Sequence, residues 1–215
     1  MHSFSFVQYI AVLAVPFLLA VTLHELAHGW VADRLGDSTA REAGRLTLNP
    51  LRHLDPLGLL ALVVTQMFGW AKPVPVNPLR LRRPKEDMVW VALAGPAANL
   101  AIAVFSSLAL HGLIALDPQI AAHVQRGGGN PILVPLYWMA FLSMQINVAL
   151  AVFNCLPLPP LDGGRVLVGV LPRRAAMRVA RIEPYGFLIV IVLLVAGIVP
   201  KLIWPPIHFL LNLLS

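Results

Sequence analysis

His24 and His28 stand four residues apart in an apolar stretch, with Glu25 beside the first, as His24-Glu25-Leu26-Ala27-His28. Positions i and i+4 lie on one face of a helix, one turn apart. Two imidazoles in that relation can ligate a single Zn²⁺ at about 2.0–2.1 Å. Glu25 projects about 100° away around the helix axis and need not be a ligand. It can instead serve as general base toward a water at the metal. The other glutamates, Glu42, Glu86 and Glu183, lie in polar segments. A carboxylate held within lipid costs about 2.5 kcal/mol or more, so Glu25 needs a reason to be where it is.

That cost applies because the elements around these residues read as membrane spans. Hydrophobic residues make up 58% of the 215 positions and charged residues 12%; mean hydropathy is +0.77. So few charges cannot clothe a water-soluble surface. A bilayer-crossing helix needs about 20 mostly apolar residues. The stretches 4–31, 88–115, 131–160 and 185–204 meet that length, with Pro16 expected to bend the first rather than end it. After Pro205-Pro206, the apolar residues 207–215 are too few to cross. The apolar stretch 57–71 is also short, and reads as a re-entrant or short membrane segment. Residues 37–56, with Gly44, Pro50 and Pro56, read as a small hairpin-like loop region. Residues 165–183, where apolar positions alternate with arginines, read as an amphipathic segment lying on the membrane face. The fold class expected is therefore an all-α polytopic membrane protein with about four full transmembrane helices.

The net charge is +6, yet the cations follow topology rather than a nucleic-acid face. Nine Lys and Arg fall in residues 32–87 and five in 163–183, leaving only Arg126 and Lys201 elsewhere. The positive-inside rule then places those loops in the cytoplasm, provided 57–71 does not cross, with both termini outside. Nucleic acid is excluded as a partner on this pattern. The single cysteine, Cys155, permits no internal disulfide. The N-terminus lacks the basic n-region of a cleaved signal peptide.

Topology also offers a candidate for the third metal ligand, which a catalytic zinc site needs beside one open position; the candidate, Asp162, could otherwise be an ordinary Asp-Gly turn cap. His24 and His28 fall near the cytoplasmic end of the first span, and Asp162 falls at the cytoplasmic end of the third. Asp33, Asp37, Asp55 and Asp87 lie in basic loops, where pairing with arginine accounts for them, and Asp117 lies on the opposite side. Pro157, Pro159 and Pro160 cannot continue a regular helix. Unwound backbone at membrane depth is tolerated where it lines an enclosed or water-filled cavity, which hydrolysis needs.

With these residues together the chain resembles the site-2 protease family of intramembrane zinc metalloproteases. The resemblance is carried by His24-Glu25-Leu26-Ala27-His28 and by Asn154-Cys155-Leu156-Pro157-Leu158-Pro159-Pro160-Leu161-Asp162-Gly163. Gly95-Pro96-Ala97-Ala98-Asn99 and Ile182-Glu183-Pro184-Tyr185-Gly186 resemble the compact prokaryotic branch. No PDZ domain interrupts the loops and no CBS domain follows the last span. The resemblance implies a single intramembrane metalloprotease domain over 1–215, with Zn²⁺ on His24, His28 and Asp162 and Glu25 as catalytic base. It implies an endopeptidase that cuts membrane-protein substrates in or near their transmembrane helices, in regulated proteolysis at a prokaryotic cell membrane. Asn154 is assigned to substrate binding, and Asn99 either to that role or to close helix packing. Asn147, Gln145 and His53 are assigned to packing or loop contacts. Cys155 is assigned to filler, since ligation would close the position water needs. A zinc or proton transporter is the competing class, but no internal repeat supports it, and Glu25 would then lack a role.

Overall fold

A computed structural model describes residues 6–58, 60 and 71–215. Among them the elements are helical, with one isolated antiparallel bridge between Leu54 and Ala71. Helix α1 spans Phe6–Arg34 and runs through Pro16. A four-residue turn of helix, α2, spans Thr39–Glu42. Short 3-10 turns follow at Pro50–Arg52 and Pro78–Arg80, each entered from an asparagine whose side chain accepts a backbone N–H. Helix α3 spans Pro84–Leu116. It starts with proline at a position whose N–H would have no partner anyway, and Glu86 and Asp87 in its first turn suit the positive end of the helix dipole.

Helix α4, Ile120–Arg126, stops at Gly127. Helix α5, Leu133–Asn154, stops where the prolines of 157–160 begin. Two shorter helices follow, α6 at Asp162–Val170 and α7 at Arg173–Ala180. The last pair, α8 at Glu183–Val195 and α9 at Ile198–Leu214, meets at 79°. The segment 37–56 is thus a helical turn and a 3-10 turn closed by a single bridge. The expected short membrane segment 57–71 falls almost wholly outside the described residues.

One expectation is corrected at the C-terminus. The fourth span was placed at 185–204, ending at Pro205-Pro206, but the helix breaks at Gly197 and then continues through both prolines. Proline inside a helix costs a hydrogen bond and crowds the preceding turn, but its φ near −65° stays in the helical range. Gly197, at φ 71°, leaves the helical region altogether. The third span likewise ends as helix at Asn154 rather than 160.

Three helices, α1, α3 and α5, are long and apolar enough to cross a membrane, or four if the bent pair α8–α9 counts as one span. Their surfaces invert the soluble pattern. Leu13, Leu19, Trp90, Phe105, Leu108, Val192 and Phe209 face outward, whereas Thr22, His24, His28, Asn99, Ser106, Asn147 and Asp162 are buried. Apolar side chains outside and polar ones inside are what lipid as solvent selects. Helix α3 sits centrally, packing on α1, α5 and α6. It therefore lies against every element that carries a residue of the buried polar group.

Candidate metal centre

His24 and His28 stand on consecutive turns of α1, with Glu25 next to the first, so the helix itself sets the spacing of the two imidazoles. Their ring centroids lie 4.6 Å apart, edge to face. Each ring is fixed at the nitrogen that faces away from its partner. His28 Nδ1 lies 2.7 Å from the Val91 carbonyl oxygen on α3, and His24 Nδ1 lies 2.6 Å from Asn99 Oδ1 on the same helix. A carbonyl only accepts, so His28 Nδ1 carries the hydrogen and its Nε2 presents a lone pair.

Asp162 is the first residue of α6 and enters from the opposite side. Its Oδ2 is 3.2 Å from His24 Nε2 and 3.2 Å from His28 Nε2, and the two nitrogens are 3.1 Å apart. All three residues are buried. Oδ2 is enclosed with no hydrogen-bond donor. Ligands on one tetrahedral zinc at about 2.05 Å lie roughly 3.3 Å from each other. A triangle with sides of 3.1–3.2 Å, made of two imidazole nitrogens and one carboxylate oxygen, fits that ion closely. Without a cation, an acceptor-only oxygen would face nitrogen lone pairs in a dry interior, an arrangement that costs free energy.

The main chain of the neighbouring elements is shaped to admit this group. At Gly95 on α3, an added Cβ would lie 2.7 Å from His24 Nε2 and inside contact of His28 Nε2. Any side chain there would fill the space between the imidazoles. Gly163 follows Asp162, and a Cβ on it would overlap the main-chain oxygens of Cys155 and Leu156. The turn from α5 into α6 therefore closes only with glycine at 163. The Pro159-Pro160 bond within it is cis.

Glu25 is half-buried next to the triangle and belongs to a contact that sequence reading did not find. Its Oε2 accepts the Val74 N–H at 2.8 Å. The extended segment 71–77 is pinned by further bonds: Lys72 N–H to the His53 carbonyl at 2.9 Å, Arg45 to the Lys72 carbonyl at 2.7 Å, and Asn77 N–H to Asp37 at 2.6 Å. Its partners lie 49, 19, 27 and 40 positions away in the chain, so no local pattern announces them.

The remaining expected residues separate into two groups. Asn99 belongs to the centre, fully buried, with its oxygen toward His24 and its nitrogen toward Ala20 and Asn147. Asn147, read from sequence as packing, is the next residue in that chain. Asn154 is half-buried and donates to the Leu150 carbonyl of its own helix at 3.0 Å. Cys155 lies at the end of α5, and His53 is buried in the loop region with Nε2 on the Thr47 carbonyl.

Comparison with known proteins bears on what this centre does. The model of peptidase family M50 matches residues 121–197, which include the Asn154–Asp162 segment. The Bacillus subtilis protein named "Putative zinc metalloprotease YwhC" is 37% identical over 193 residues, 90% of this chain and 84% of that one. Rip2 of Mycolicibacterium smegmatis, described in the same words, is 34% identical over 196 residues, 89% of this chain and 69% of its own. MJ0611 of Methanocaldococcus jannaschii, again so described, is 29% identical over 76% of this chain and 75% of its own. No solved structure matches. The alignment with YwhC extends the likeness over nearly the whole chain, and the chain belongs to peptidase family M50, the site-2 proteases, as an integral-membrane zinc metallopeptidase.

Proposed function

We propose that the chain is an intramembrane endopeptidase that hydrolyses peptide bonds in or near transmembrane helices of other membrane proteins, as in regulated intramembrane proteolysis. In this reading His24, His28 and Asp162 hold zinc, and Glu25 is the catalytic base. The observation that carries it is the 3.1–3.2 Å triangle of two imidazole nitrogens and a carboxylate oxygen, buried among apolar-faced helices with Glu25 one residue from a ligand.

Zinc, when bound, supplies an acidified water and a Lewis acid for the scissile carbonyl. Glu25 Oε takes the proton that the water gives up and delivers it to the leaving amine. The Val74 N–H holds that carboxylate in place while leaving its second oxygen to move the proton. The substrate helix must unwind locally before its carbonyl can be reached, so helices weakened by Gly, Pro or Asn are the favoured class. The bias of Lys and Arg toward residues 32–87 and 163–183 supports a cytoplasmic location for the site and outward termini. Asn154, at the end of α5, is the residue we place on the substrate backbone.

Purified protein with zinc in bilayers, given candidate membrane-helix substrates, tests this directly. Wild type should cleave and Glu25→Gln should lose at least about 10²-fold in rate, as expected for a general base. Cleavage surviving Glu25→Gln removes the base assignment, and undiminished zinc content in Asp162→Ala removes the third ligand. Zinc flux into liposomes without proteolysis would favour a transporter.

A further inference from the structure

The two histidines are held by different kinds of acceptor. His28 leans on a main-chain carbonyl, which no side-chain substitution alters. His24 leans on a side-chain amide, whose two ends could in principle be exchanged. We infer that Asn99, Asn147 and Ser143 form a directional relay that fixes which nitrogen of His24 carries its hydrogen, and so sets how tightly the centre holds its metal. This rests on reading the triangle as the zinc site.

The direction follows from one end. The Ser143 carbonyl on α5 can only accept, and Asn147 Nδ2 lies 2.8 Å from it. Asn147 must therefore turn its Oδ1 toward α3, where Asn99 Nδ2 donates to it at 2.7 Å. The other Asn99 hydrogen goes to the Ala20 carbonyl on α1 at 3.3 Å. Both donor hydrogens of Asn99 are then engaged, and its Oδ1 faces His24 Nδ1 at 2.6 Å. An acceptor at that distance requires the hydrogen on Nδ1, which leaves Nε2 as a lone pair aimed at the triangle. Reversing either amide turns contacts into donor against donor or acceptor against acceptor. Asn99 and Asn147 are fully buried, so water does not compete for these positions.

The relay links α5, α3 and α1, and Ser106 on α3 adds a hydroxyl bond to Ser143 Oγ at 2.8 Å. Asn99 and Asn147 are thus positioning residues, acting on the metal through His24. Groups that orient a ligating histidine typically change metal affinity about 10–100-fold when removed.

The test measures zinc affinity of the full chain in detergent by competition with a chromogenic chelator, with the thermal midpoint recorded separately. Asn99→Leu, of similar volume but without an acceptor, should weaken zinc binding about 10–100-fold. Asn99→Asp loses the donors to Ala20 and Asn147 but retains an oxygen for His24 Nδ1, so it should lose clearly less zinc affinity than Asn99→Leu, as carboxylates commonly orient zinc-bound histidines. Asn147→Leu, which leaves only the longer bond to the Ala20 carbonyl to hold the Asn99 amide in this sense, should weaken binding about three- to tenfold, below the direct loss of the acceptor. Wild-type affinity in Asn99→Leu would overturn the relay, and so would an equal loss in Asn99→Asp and Asn99→Leu, since keeping the acceptor would then make no difference. If Asn99→Leu does not fold, unchanged affinity in folded Asn147→Leu overturns it equally. His24→Ala separates the two levels: zinc binding that survives it removes the zinc reading itself, whereas binding lost there but kept in Asn99→Leu removes only the relay.

Discussion

The two sides of the metal centre are built by different means. On the α1 side, His24 and His28 project from a continuous helix, and their rings are set by hydrogen bonds to Asn99 and Val91. On the α6 side, Asp162 is set by main chain. Gly163 lies against the carbonyls of Cys155 and Leu156. A Cβ on Gly164 would lie 2.5 Å from Pro159 N, and one on Gly186 of α8 would lie 2.6 Å from the Pro159 carbonyl carbon. The histidines have adjustable tips on a rigid rod. The aspartate has a short side chain on a turn that three glycines hold closed. The proposed helix-borne ligands should therefore tolerate neighbours that displace them without loss of the fold, whereas the proposed turn-borne ligand should not.

Two alanine substitutions bring that contrast to a measurement. Gly163→Ala forces a methyl into main-chain atoms that cannot yield without opening the turn. Overpacking of this kind costs about 3 kcal/mol at its upper range, so the thermal midpoint and the zinc content should fall together. Gly95→Ala pushes instead on the outer atoms of two imidazoles, which can swing aside. Zinc binding should fall by about tenfold or more, as for lost ligand orientation, while stability changes by about 1 kcal/mol or less. Equal loss of stability in both variants would break the distinction between the two sides. Full zinc binding in Gly95→Ala would show that the imidazoles do not need the space beside that glycine.

A subtler prediction concerns the proposed base rather than the proposed ligands. Val74→Pro removes the N–H that Glu25 Oε2 accepts, in a segment that is already extended and already carries Pro73 and Pro75. A hydrogen bond to a charged group contributes about 1.5–3 kcal/mol, so kcat should drop about ten- to a hundredfold, with zinc affinity unchanged. A matching loss of zinc would mean that the segment supports the ligands as well, and Glu25 could no longer be treated apart from them.

How much of this was legible in the sequence depends on the range of each interaction. The His24–His28 spacing is local and helical, and the structure places both nitrogens at one point. Asp162 was proposed from depth, because charge counting put both motifs toward one side of the membrane, and its Oδ2 lies 3.2 Å from each imidazole. The long apolar stretches of α1, α3 and α5 were legible for the same reason that lipid selects them. The support around the centre was not. The Val74 contact to Glu25 joins residues 49 positions apart through a main-chain N–H that every residue type but proline offers. Asn147 looked like packing because its role depends on which face of α5 meets α3. Gly95 and Asn99, four apart on one face of α3, carried a signal, but periodicity alone does not distinguish close packing from contact with a ligand. At the C-terminus proline outweighed glycine in the reading, whereas φ at Gly197 decided the break.

The smallest expected effect lies at the far end of the segment that crosses Glu25, and it marks where the centre's influence stops. Asp37 is fully buried just beyond α1 and accepts from the Thr39 hydroxyl, from Thr39 N–H at 3.0 Å and from Asn77 N–H at 2.6 Å. Burial alone would raise its carboxyl. These bonds, led by the Thr39 hydroxyl and joined by the charge of Arg80, outweigh burial and hold its pKa below the usual carboxylate range. A carboxylate whose pKa is depressed by folding contributes stability that is complete above its unfolded pKa, about 4, and is lost as pH falls through the lower folded value. Wild type should therefore lose the stability this group contributes as pH falls below about 4, as read from thermal midpoints. Asp37→Asn should start lower at pH 7 and decline less, so that the two curves converge in acid. At pH 7 the same variant should bind zinc as wild type does, because Asp37 anchors the extended segment at Asn77 while Lys72 and Val74 keep their own partners. Zinc affinity that fell with Asp37→Asn would extend the centre's support along the whole of 71–77 and join the loop region to the α1 side of the comparison.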